Sequence, residues 1–136
     1  MSTQEINPDL TFADFGFAEP ITRAITEQGY IKPTPIQAQS MPHVLQGADV
    51  MGAAQTGTGK TAAFALPILH KLEKGNEDEI AKVRALIIVP TRELATQMTK
   101  AIRSYALGTN LRILNVFGGV KKILDYLIRE KVTATF

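Results

Sequence analysis

The segment Ala54-Gln55-Thr56-Gly57-Thr58-Gly59-Lys60-Thr61 constrains this chain more than any other. It ends in Gly-Lys-Thr and carries Ala54 where the general pattern Gly, four residues, Gly-Lys-Ser/Thr has its first glycine. Its flanks agree with that pattern. Asp49-Val50-Met51-Gly52-Ala53 reads as a short buried strand, and Thr61 to Leu72 as an apolar helix. Strand, glycine-rich turn and helix in that order aim backbone N–H groups and the positive end of a helix dipole at one point, a place suited to phosphate oxygens. Gly57 and Gly59 allow curls that a Cβ would obstruct. Lys60 can set an ammonium on β- and γ-phosphates, and Thr61 a hydroxyl on Mg²⁺. A flexible Gly/Thr turn is the plainer alternative, and the agreement of motif and flanks tells against it. Pro67, inside the following helix, should kink it or free a carbonyl.

The rest of the chain supplies the layers around this loop. Ile21, Ala24 and Ile25 form a helical stripe after Pro20, stopped by Gly29. A second helix should start at Thr34 with Pro35 in its first position, break at Pro42 and end by Gly47. Gly75-Asn76-Glu77-Asp78-Glu79 has the composition of a solvated loop. Ala85-Leu86-Ile87-Ile88-Val89 is a continuous apolar run, as in a strand buried on both faces. Pro90-Thr91 turns into a helix over about Arg92 to Tyr105, and Leu111 to Phe117 reads as a third strand closed by Gly118-Gly119. Val120, Ile123, Leu124, Leu127 and Ile128 share one face of a last helix, with Lys121, Asp125 and Arg129 on another. Alternating strands and helices predict an α/β fold, a parallel sheet with crossover helices.

Composition limits the function classes. At 136 residues the chain is one domain or part of one. Its 15 basic and 13 acidic residues leave a net charge of +2, which permits an anionic partner without demanding one. There is no cysteine, hence no disulfide framework and no thiolate site. No apolar run approaches membrane-spanning length and Met1 to Leu10 is polar, so a cytoplasmic protein without a membrane partner is expected. His43 and His70 are isolated and read as structural or surface residues.

Four ordered stretches together resemble the first RecA-like lobe of a bacterial-type DEAD-box RNA helicase. They are Phe12 with Gly29 to Gln37, similar to the Q motif; the phosphate loop 54–61, where the family also has alanine first; Pro90-Thr91-Arg92-Glu93-Leu94-Ala95, similar to motif Ia; and Gly118-Gly119, similar to the family's double glycine. The resemblance runs from about Thr11 to Gly119. It implies a polar segment over 1–11 and, over 12–136, an incomplete P-loop NTPase lobe with a RecA-like parallel sheet.

The resemblance also implies roles. Gln37 would read the adenine of ATP, since an amide can pair bidentately with N6 and N7. Thr34 to Gln37 equally spells a capping box, with Thr34 as N-cap and Gln37 reaching back. Phe12 would stack near the base, and core packing is an equal use for it. Ala54, Gln55, Thr56, Gly57, Thr58, Gly59, Lys60 and Thr61 would hold the phosphates, with Lys60 and Thr61 in the catalytic set and Thr61 on Mg²⁺. Pro90, Thr91, Arg92, Gly118 and Gly119 would contact the RNA backbone, making RNA binding sequence-independent. Ordinary turns are the plainer reading of those last two motifs.

The Asp-Glu-Ala-Asp motif, the Ser-Ala-Thr motif and a second lobe are not in this sequence, and Asp125 sits on the polar side of a helix. Phosphate-loop enzymes hold Mg²⁺ through the loop hydroxyl and an Asp on a separate strand. The expectation is therefore a truncated helicase that binds ATP without turning it over, with an exposed strand edge prone to aggregation. The alternatives are a non-enzymatic nucleotide- or RNA-binding fragment, and the product of a frameshift or a cloned truncation.

Overall fold

The structure is a computed structural model that describes residues 6–55, 57, 59–75 and 83–116. A 3-10 turn over Phe12–Phe15 precedes four helices: α1 (Glu19–Glu27), α2 (Pro35–Leu45), α3 (Lys60–Glu73) and α4 (Arg92–Tyr105). The helices expected around Ile21, from Thr34, after the loop and from Arg92 are all present.

Local chemistry explains their starts. Asp14 accepts from the Thr11 N–H (2.7 Å) and hydroxyl (2.9 Å), closing the 3-10 turn. These bonds hold the Asp14 carboxyl below its ordinary range, the backbone one first. Pro20 sits in the first turn of α1, where its missing N–H has no helical partner to lose. Thr34 and Gln37 form the capping box of α2. Thr91 caps α4 through its hydroxyl, which accepts from the Leu94 N–H at 3.2 Å.

Two prolines behave differently from a breaker. Pro42 lies inside α2, which runs on to Leu45 before Gly47 turns the chain at φ 86°. A proline removes one helical hydrogen bond, and burial of its neighbour Met41 (0% exposed) outweighs that in so late a turn. Likewise a single helix continues through Pro67, itself buried.

α3 is the central element. Ala62, Ala65, Leu66 and Leu69 are buried along it, and α2 packs most extensively on its side. Ile21 and Ile25 of α1, Met41 of α2, Ile102 and Tyr105 of α4, and Phe12 and Phe17 complete one core around it. A helix apolar on so many sides is stable only when surrounded. Since α3 begins at Lys60, the core fixes the direction in which the phosphate loop points.

His70 is a structural member of this core. Its Nδ1 accepts the N–H of Ala18, the N-cap of α1, at 2.8 Å, and its ring stands edge-on to Phe17. Burial first, and the Lys74 charge second, push its pKa below the ordinary histidine value. The neutral ring is the one that can accept, so its contribution is complete above the unfolded pKa of about 6.5 and is lost as pH falls through the folded value. Wild type should therefore lose melting temperature between pH 7 and 5, and His70→Asn, whose amide oxygen can accept without titrating, should flatten that slope. Leaving the Ala18 N–H unpaired in His70→Ala should cost ~1–3 kcal/mol in urea unfolding.

The three expected strands are not seen as such: among the described residues, 49–53, 83–89 and 111–116 carry no regular secondary structure. A strand exists only through its ladder partners, and no ladder joins these segments among the described residues. Several of their apolar side chains stand in solvent, Met51 at 101%, Ile88 at 84% and Leu86 at 66%, while Leu111 and Ile113 pack against the core. Such surface favours self-association. Leu86→Lys with Ile88→Lys should reduce light scattering and binding of a hydrophobic dye, while changing unfolding free energy by no more than ~0.5 kcal/mol. Light scattering unchanged by the pair would show that another surface drives association.

The amphipathic helix expected over Val120 to Arg129, the double glycine Gly118-Gly119 and most of the acidic loop after Gly75 lie outside the described residues. Among the described residues no helix is long and apolar enough to cross a membrane.

Candidate functional site

The site is built where α3 begins. Gly57 and Gly59 both have φ of 83°, the left-handed region that the sequence pattern calls for. Gly59 is the N-cap of α3, so the loop runs straight into the helix and leaves the first helical N–H groups without intrahelical partners. Lys60 follows as the first helical residue and is exposed. Its ammonium donates to the Ala54 carbonyl at 2.6 Å, drawing the two ends of the loop together. Thr61 is half-buried in the same turn, and Gln55 is exposed. Thr56 and Thr58 lie outside the described residues.

Gln37 joins this loop to α2. It is 2% exposed. Its Oε1 accepts the Thr34 N–H at 2.9 Å, and its Nε2 donates to the Gly59 carbonyl at 3.1 Å. The capping-box reading and a place beside the loop are thus compatible in one conformation. Each amide atom keeps one further valence, a lone pair on Oε1 and a hydrogen on Nε2, the pair that an adenine edge requires.

A cleft of about 580 Å³ opens beside Gln37, lined by Phe12, Gln28, Gly29, Tyr30, Ile31, Lys32, Thr34, Gln37, Gly57 and Gly59. Its size suits a small-molecule ligand. Its lining combines aromatic and apolar side chains with the loop glycines Gly57 and Gly59. Phe12 both lines the cleft and is 3% exposed in the core, edge-on to Tyr30 with ring centroids 5.5 Å apart. The structure therefore brings Phe12, Gln37, Gly57 and Gly59 together. Tyr30, Ile31 and Lys32 fall within the Q-motif-like stretch Gly29 to Gln37 without individual roles in the sequence, and Gln28 lies just outside it. The signal was present in Gly29, whose φ of 83° turns the chain after α1 and presents its neighbours to the cleft.

Motif Ia is placed elsewhere. Pro90, Thr91 and Arg92 are exposed at the start of α4, with Glu93 in its first turn. Among the described residues no three His, Cys, Asp or Glu side chains converge as a metal site.

Comparison with known proteins gives this geometry its family. Prp28 from Chaetomium thermophilum, an RNA helicase whose crystal structure is bound to ADP, superposes with a TM-score of 0.74 at 32% identity over 93% of this chain and 32% of its own. A DEAD box protein from the hyperthermophile Methanococcus jannaschii superposes at 0.69 with 30% identity, over 86% of this chain and 32% of its own. The fold is thus that of a RecA-like P-loop NTPase lobe. The model of the DEAD/DEAH box helicase family matches residues 34–133, and the chain belongs to that family. The ATP-dependent RNA helicase DeaD of Klebsiella pneumoniae is 46% identical over 114 residues, 82% of this chain and 17% of that protein. The ATP-dependent RNA helicase CshA of Listeria monocytogenes is 44% identical over 108 residues, 79% of this chain and 20% of that protein. The chain therefore spans no more than a fifth of the length of DeaD and CshA.

Proposed function

We infer that this chain is the ATP-binding part of a cytoplasmic ATP-dependent RNA helicase, a protein that uses ATP to remodel RNA duplexes and RNA–protein complexes. The observation that carries the reading is the Gln37–Gly59 hydrogen bond, which sets an adenine-reading amide against the last glycine of the phosphate loop. The likeness to the ATP-dependent RNA helicases DeaD and CshA and to ADP-bound Prp28 supports it.

In this reading the base enters the cleft between Tyr30 and Gln37, with Phe12 behind. The backbone of Ala54 to Gly59 cradles the phosphates, and Lys60 exchanges the Ala54 carbonyl for β/γ-phosphate oxygens. Thr61 would hold Mg²⁺ through its hydroxyl. Bound Mg²⁺ would neutralise charge on the phosphates. Pro90, Thr91 and Arg92, with Gly118 and Gly119, take the RNA backbone, where α4 presents its N-terminal N–H groups. The chain by itself binds ATP without sustained turnover.

The test is a Mg²⁺-dependent titration with fluorescent ADP, on wild type beside Gln37→Ala, followed by ATP turnover with and without RNA. Saturable binding displaced by ATP over GTP, with that preference lost in Gln37→Ala, is the expected result. Binding blind to the base in wild type would remove Gln37 from its role. Robust RNA-stimulated turnover would overturn the claim that the chain is inactive alone.

A further inference from the structure

Two residues that line the cleft are held from behind by α4. Gln28, the C-cap of α1, donates from Nε2 to the carbonyls of Ser104 and Ala24, both at 3.1 Å, and its Oε1 lies 3.1 Å from the Ser104 hydroxyl, whose one hydrogen it shares with the nearer Ala101 carbonyl at 2.6 Å. Both amide hydrogens of Gln28 are thereby committed, which leaves its stem, its backbone and a lone pair on Oε1. Tyr30 shares a hydrogen bond with Tyr105, hydroxyl to hydroxyl at 3.0 Å. The Tyr30 ring stands edge-on between Phe12, at 5.5 Å and 72°, and Tyr105, at 5.8 Å and 83°.

The wall carried by Gln28, Gly29 and Tyr30 follows the last turn of α1 and has no regular structure beyond it. Backbone bonds tie it to α1: the Gly29 N–H reaches the Thr26 carbonyl and the Tyr30 N–H that of Ile25, both at 3.0 Å. Those bonds fix the turn but leave both side chains free to rotate. Rotation is stopped by Ser104 and Tyr105, which lie outside the cleft. Tyr105 is 4% exposed, and burial, with the Tyr30 hydroxyl, raises its pKa well above the ordinary tyrosine value. Its hydroxyl therefore stays protonated and shares its hydrogen bond with Tyr30.

We propose that Ser104 and Tyr105 are positioning residues for the base-binding end of the cleft, acting through Gln28 and Tyr30 on the affinity for the nucleoside part of a nucleotide and not on the grip on its phosphates. This rests on the nucleotide reading given above. The loop joins the cleft through Gly57 and Gly59, and its anchors are Gln37 and the start of α3, neither of which bonds to Ser104 or Tyr105. Wall and loop can therefore be perturbed separately. Losing one buried hydrogen bond behind a preformed wall corresponds to roughly a three- to tenfold loss of affinity.

The experiment compares wild type with Tyr105→Phe and with the double variant Ser104→Ala/Tyr105→Phe, all in the full 136-residue chain. Fluorescent ADP is titrated directly, and inorganic pyrophosphate is titrated as its competitor. The expected result is fluorescent ADP weakened about three- to tenfold in Tyr105→Phe and further in the double variant, with the pyrophosphate constant unchanged. Unchanged ADP affinity in both variants overturns the inference. So does an equal loss for ADP and pyrophosphate, which marks general damage to the core. Wild type that binds pyrophosphate but gains nothing from the nucleoside removes the base cleft and this inference with it. Wild type that binds neither overturns the nucleotide reading itself.

Discussion

Lys60→Ala is expected to weaken nucleotide binding by about 10- to 100-fold while leaving the fold as stable as before. The affinity term follows from the charge-assisted hydrogen bonds that an ammonium makes to phosphate, each worth ~1.5–3 kcal/mol. The stability term follows from position. Lys60 is exposed at the first residue of α3, where a cation opposes the helix dipole, and its recorded bond goes to the loop's own Ala54 carbonyl. Removing it should change unfolding free energy by ~0.5 kcal/mol or less. Fluorescent ADP titration beside urea unfolding separates the two. Lost binding with lost stability would mean that Lys60 is part of the scaffold, and retained binding would remove it from the phosphate site.

Gly59→Ala has the second large effect, and here stability and binding fall together. Gly59 has φ 83° and ψ 24°, a conformation that costs an L-residue roughly 1–2 kcal/mol. A Cβ there would also stand 2.2 Å from Gln37 Nε2, 3.0 Å from its Cδ and 3.2 Å from Thr34 Oγ1. Gln37 is buried and tied to Thr34, so it cannot swing aside without breaking the α2 cap and its bond to Gly59. The combined loss should be ~2–4 kcal/mol, with nucleotide binding abolished. Gly57→Ala is the control. It shares the φ of 83° but has no atom within 4 Å of the new Cβ, so only the conformational cost applies. Equal destabilisation by the two substitutions would show that the Gln37 contact has no energetic role.

The same contact shows how far the site could be read beforehand. Thr34-Pro35-Ile36-Gln37 specifies a capped helix start by local rules alone, and Gly57, Gly59 and Lys60 specify a loop entering a helix. That the cap's glutamine also donates to the loop's last carbonyl depends on how α2 lies along α3, a matter of packing across 22 positions of sequence. Tyr30 and Gln28 were hidden for a related reason. Their partners Tyr105 and Ser104 are 75 and 76 positions away and belong to a helix whose apolar stripe says only that it packs somewhere. Pro42 was misjudged because a local rule about its missing N–H carries no information on the burial of Met41 beside it.

Sequence by itself determined the four helix positions, the Thr34 and Thr91 caps and the family. Each of these rests on interactions between residues a few positions apart, or on motifs whose order can be read directly. Tertiary structure alone decided which helix became the centre, that His70 would cap α1 from α3, and that Q-motif and loop residues would share one cleft. It also decided that 49–53, 83–89 and 111–116 run without ladders among the described residues. Apolar character tells a segment to be buried, but a strand is completed only by the backbone groups of its neighbours.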